Sequence, residues 1–119
     1  MRPPARKTRR KTSMKPRISK ARLEAMIEEA TVDCHDESEQ VTGWFTMLEE
    51  HLGVPFETKI LGVSAIVERV GLNRSEQIIA VCSRGRDRQS LPILDLPLPR
   101  PLPAGAEWIE AYRHWRGEG

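Results

Sequence analysis

The chain has 119 residues, 39% of them hydrophobic and 30% charged, with two cysteines and nine prolines. That is enough for one domain to bury a modest core without disulfides or a structural metal, and no apolar run approaches the roughly 18 residues of a membrane span. The formal charge of +2 hides a separation: the first 22 residues carry ten of the 19 Lys and Arg and no acid, leaving nine cations against 17 acids, a net of −8, on the remainder.

The opening stretch, MRPPARKTRRKTSMKPR, has three prolines, like charges and no aromatic residue. Such a segment cannot bury enough apolar surface to offset the entropy of ordering, which predicts a disordered basic tail over residues 1–18 and a single domain over 19–119. The start also lacks the apolar stretch of a secretory signal. Cys34 and Cys82 have no CxxC spacing and read as free thiols of a reducing compartment, so the expected location is the cytoplasm.

From Ser19, the run KARLEAMIEEA brings back Leu23, Met26, Ile27 and Ala30 at helical spacing, with Glu24, Glu28 and Glu29 on the other side. This predicts a helix over about 20–30. After the link TVDCH, Asp36 stands at an N-cap position with Glu39 three residues later, a capping-box pattern. A second helix is therefore predicted over about 37–52, with Val41, Trp44, Phe45, Leu48 and Leu52 as its core face and Gly53, ahead of Val54-Pro55, as its C-terminal stop.

From Phe56 the period changes. FETKIL, VSAIVERV, EQIIAVCS and QSLPILDL are short segments rich in branched residues, separated by Gly62, GLNRS and RGRDR. They predict four or five antiparallel strands over about 56–96, forming a small SH3-like barrel or a meander. The segment PLPRPLPAG lacks alternate amide donors, which predicts an extended polyproline link over 97–103. A last helix, AEWIEAYRHW, is expected over about 105–115 with Trp108, Tyr112 and Trp115 on one side. The predicted class is α+β.

The stretch from Thr31 to Glu57 holds seven carboxylates and no Lys or Arg. A helix N-terminus favours each nearby carboxylate by roughly 0.3–1 kcal/mol, so a solvated acidic face accounts for Asp36, Glu37 and Glu39. It does not account for Asp33, which precedes the helix, or for the lack of cations to pair with Glu24, Glu28, Glu29, Glu49, Glu50 and Glu57. The competing reading is a site for a hard cation. Calcium takes six to eight oxygens in flexible geometry, and Asp33, Asp36, Glu37 and Glu39 span only seven positions. Glu49 and Glu50 stand ten or more residues along the same helix, roughly 15 Å away, and cannot share an ion with Glu39.

The pattern is not an EF-hand. With Asp33 as first ligand, His35 takes the third position, Ser38 the place of the turn glycine and Trp44 the place of the bidentate Glu. The helix dipole also opposes a cation at this end, so moderate calcium affinity is the expectation.

A second reading, of a different kind, is a polyanion or nucleic-acid-associated adaptor. Arg6, Lys7, Arg9, Arg10 and Lys11 in the tail would neutralise phosphates without reading bases, and Arg84, Arg86 and Arg88 alternate around Gly85. Asp87 interrupts that second patch, and a solvated hairpin turn is the simpler account of it. His35, His51 and His114 are dispersed, no nucleophile–base pair can be assembled, and there is no Gly-rich phosphate loop. The residues do not read as an enzyme.

Three long blocks, ATVDCHDESEQVTGWFTMLEEHLGVPFETKILGV, RGRDRQSLPILDLPLP and AGAEWIEAYRHW, resemble the small bacterial calcium-binding family typified by the cyanobacterial protein CcbP, over about residues 20–116. The resemblance implies a cytoplasmic protein that binds calcium, as a buffer or a signalling element, on a compact α+β fold with a small barrel. It matches the segment carrying Asp33, Asp36, Glu37 and Glu39 to the family's acidic lead-in to the long helix. The basic tail departs from the family pattern, as does the turn GLNRSE, where Glu76 is the one carboxylate and relatives are rich in Asp.

Overall fold

A computed structural model describes residues 18–117. The tail, with Arg6, Lys7, Arg9, Arg10 and Lys11 and its expected disorder, lies outside the described residues.

Helix α1 spans Lys20–Thr31, and its N-cap is Ser19, whose hydroxyl accepts the Arg22 N–H at 3.1 Å. Met26 and Ala30 are buried, Leu23 and Ile27 pack on the core at its edge, and the three glutamates face solvent. Helix α2 covers Glu37–His51 and buries Val41, Trp44 and Leu48. The two helices meet in backbone contact at Gly43, where a Cβ would stand 2.0 Å from the Ala30 carbonyl oxygen. Only glycine permits that approach.

Four strands follow: β1 (Phe56–Ile60), β2 (Val63–Leu72), β3 (Ile78–Arg84) and β4 (Asp87–Pro92), all antiparallel and adjacent in chain order. The β1–β2 connection is Leu61-Gly62, both at positive φ (52° and 80°), the signature of a type I′ hairpin turn. The β3–β4 turn places Gly85 at φ 58°. Ile60, Ala65, Val67, Val70, Ile78, Ala80 and Cys82 alternate onto the inner face and join the core beneath the helices. The other face is largely exposed, although Val81 on it is buried.

The sheet is a meander and does not close into the SH3-like barrel that was the other expectation. In the segment QSLPILDL, Pro92 ends the ladder because it has no amide to donate, and Ile93–Asp95 form a single 3₁₀ turn. The chain thus leaves the sheet at the β4 edge. Among the described residues, strand β1 pairs only with β2, and β4 only with β3.

The proline-rich link is not one continuous polyproline helix, since it bends at Arg100-Pro101. Pro97 accepts the buried Thr58 hydroxyl at 2.6 Å, and Ala104 accepts the Gly53 N–H at 2.8 Å. Gly53 therefore does not provide the left-handed stop expected of it. Leu52 caps α2 in an extended conformation, and Gly53 lets the link approach the helix end. Helix α3 (Ala106–Trp115) starts after Gly105, which is left-handed (φ 82°) and lies so near the His51 carbonyl that a Cβ would fall 2.0 Å from its oxygen.

The aromatic stripe of α3 closes the core. Trp44, fully buried, has ring centroids 6.2 Å from Trp108, 5.6 Å from Tyr112 and 5.8 Å from Trp115. These tilted and edge-on arrangements suit the aromatic quadrupoles. His51 stacks on Trp108 at 4.9 Å, so it is a packing residue at the α2 C-terminus.

Candidate metal site

The lead-in to α2 is held by its own side chains. Asp36 is extended (φ −142°, ψ 176°), and its Oδ1 accepts the Glu39 N–H at 2.8 Å, as an N-cap does. Glu39 answers by accepting from the His35 N–H, so the box closes one residue earlier than the standard pattern. The Cys34 thiol donates toward the Glu39 carbonyl at 3.3 Å, and Asp33 takes a left-handed turn conformation (φ 60°). One oxygen each of Asp36 and Glu39 is thereby engaged. Asp33, Asp36, Glu37 and Glu39 are all exposed residues.

Among the described residues, no group of three or more His, Cys, Asp or Glu side chains forms a metal-holding arrangement. The four carboxylates share one short segment without converging on a common point. Arg88 pairs with Glu68 (3.5 Å) and Arg113 with Glu110 (3.5 Å), and the His51 ring lies 3.8 Å from the Glu50 carboxylate; none of these contacts involves Asp33, Asp36, Glu37, Glu39, Glu76 or Asp95.

The tertiary fold adds a carboxylate that residue spacing alone could not place here. The β2–β3 turn is organised by Asn73, whose Oδ1 accepts both the Ser75 and Gln77 N–H groups at 2.9 Å. This turn holds Glu76 left-handed (φ 62°) and delivers its Oε2 to the Ser38 hydroxyl, which donates at 2.8 Å across 38 residues of sequence. Glu76 therefore stands against the first turn of α2. Beyond it, a cleft of about 230 Å³ is lined by Glu76, Asp95, Tyr112 and Arg116. A second cleft is lined by Glu37, Gln40, Trp115 and Arg116.

Arg84, Arg86 and Arg88 lie at the hairpin between β3 and β4. Arg84 stands opposite Asp87 in the ladder, Arg88 pairs with Glu68, and all three arginines are exposed. Both cysteines are free thiols, Cys82 buried and Cys34 half-buried. No helix among the described residues is long and apolar enough to cross a membrane.

These features define a small α+β protein with a carboxylate-rich helix start and no EF-hand loop. The sequence matches the CcbP family model, described as calcium binding, over residues 24–116, and the chain belongs to that family of calcium-binding proteins. The fold is similar to the crystal structure of Anabaena CcbP, with a TM-score of 0.68 at 20% identity, covering 87% of this chain and 95% of that one. It is also similar to a structure described as a calcium binding protein in the calcium-binding form, with a TM-score of 0.62 at 18% identity, covering 82% of this chain and 90% of the other. No curated protein matches the sequence.

Proposed function

We propose that this protein binds calcium at the start of α2, with Asp33, Asp36, Glu37 and Glu39 supplying carboxylate oxygens and Glu76 joining them from the β2–β3 turn. The observation that carries this reading is the Ser38–Glu76 hydrogen bond, which brings an acid from a distant turn to the acidic segment. Hard oxygen donors on exposed side chains fit calcium, which tolerates irregular geometry, better than magnesium, which demands a near-ideal octahedron. The carboxylates must rotate inward to reach one ion. That reorganisation and the opposing helix dipole both cost binding energy, which supports a moderate affinity of the kind used in buffering or signalling.

Calorimetric titration of the full chain with calcium, and separately with magnesium, tests the assignment. Glu76→Gln removes the distant carboxylate, and the pair Asp36→Asn with Glu39→Gln neutralises the cap while Asn still caps the helix. Each variant is expected to bind calcium about tenfold or more weakly, a change of about 1.4 kcal/mol. Wild-type affinity in both would move the ion to another part of the molecule.

A further inference from the structure

The two clefts beside the start of α2 share one residue. Arg116 borders the cleft that holds Glu76 and Asp95 and also the one that holds Glu37 and Gln40. It is the C-cap of α3, its N–H donating to the Tyr112 carbonyl at 2.9 Å, and its guanidinium lies over the Tyr112 ring with Cζ 6.0 Å from the centroid. A helix C-terminus and an aromatic face both favour a cation, so the charge is anchored from two sides. Guanidinium does not lose its proton in a protein, which makes that charge permanent. Among the described residues it closes no ion pair with Glu37, Glu76 or Asp95.

We propose that Arg116 is a resident counter-cation of the calcium site. It stands between the cleft that holds Glu76 and the cleft that holds Glu37, offsets part of their negative charge when no ion is bound, and opposes a divalent ion arriving beside either of them. Calcium binding and the Arg116–Tyr112 stack then compete, so the arginine holds the affinity down and couples binding to the last turn of α3. This inference rests on the reading that Glu37 and Glu76 contribute to the calcium site. Tyr112 and Trp115 have ring centroids 6.0 Å apart, and Trp115 lies 5.8 Å from Trp44, so displacement of Arg116 alters the surroundings of an intrinsic fluorophore.

The test compares the full-length wild type with Arg116→Gln and Arg116→Lys, titrating calcium by calorimetry and tryptophan fluorescence at about 0.05 M and about 0.5 M salt. Arg116→Gln is expected to bind calcium roughly three- to tenfold tighter than wild type at low salt, with the gap narrowing at high salt, because the effect is a partly screened repulsion. Arg116→Lys should stay near wild type, and the calcium-dependent fluorescence change should shrink in Arg116→Gln. Equal or weaker binding by Arg116→Gln overturns the inference, as does equal tightening in Arg116→Lys, which would implicate the stack without the charge. Failure of all three proteins to bind calcium overturns the underlying reading as well.

Discussion

Cys82 points into the core from the middle of β3, completely buried, with its thiol 3.8 Å from the Ala80 carbonyl. Burial pushes that thiol's pKa up, and the negative charge of Glu68 adds to the shift. The folded protein therefore holds Cys82 protonated at a pH where the unfolded chain ionises it. The stability linked to this group is complete below the unfolded thiol's value of about 8.5 and declines as pH rises from there toward the folded value. A thiol reagent at pH 8 should modify Cys34 in the native protein and reach Cys82 only after denaturant is added. Equal rates for both thiols without denaturant would contradict the burial. Glu76 makes the same point about context: its charge was plain in the sequence, but its neighbour Ser38 was not.

The helical hairpin of α1 and α2 depends on Gly43, which sits inside a helix where glycine costs stability. Alanine is the better helix former by roughly 1 kcal/mol, so propensity alone predicts that Gly43→Ala stabilises the protein. The contact predicts the reverse. A Cβ 2.0 Å from the Ala30 carbonyl oxygen meets backbone, which no rotamer change can relieve, and overpacking of this kind costs about 1–3 kcal/mol. The urea midpoint of Gly43→Ala should fall, and an unchanged or raised midpoint would show that the two helices can separate without loss. Helix positions were legible because caps and apolar spacing act within a few residues: Asp36 caps as read, and the stripe of α3 packs as read. Gly43 and Gly53 were opaque, since each answers to a backbone segment distant in sequence or on another helix.

At the scale of the molecule, the chain beyond residue 22 carries a net charge of −8, and an ion that binds only the folded state relieves part of that repulsion. At a hundredfold excess of calcium over its Kd, native-state stability rises by about 2.7 kcal/mol, which at roughly 4 °C or more per kcal/mol lifts the Tm by about 10 °C. Chelator-stripped protein titrated with calcium in a thermal melt should show that rise, with a smaller one for magnesium. A Tm indifferent to calcium would leave the acidic segment as surface only.

The amino-acid sequence by itself determined the secondary elements, the charge separation and the candidate acids Asp33, Asp36, Glu37 and Glu39, because capping, periodicity and composition are local properties of a chain. It left both a barrel and a meander open, since strand pattern does not say whether the last strand returns to the first, and the family resemblance pointed to the barrel. Tertiary structure decided that: Pro92 turns the chain off the β4 edge and the sheet stays open. It also decided which charges meet. Glu76 reaches the start of α2, and Arg116 comes between two clefts, through contacts made by packing a turn and a helix end against a distant segment. No spacing rule along the chain encodes such a contact, because the distance that sets the electrostatics is measured through the folded core.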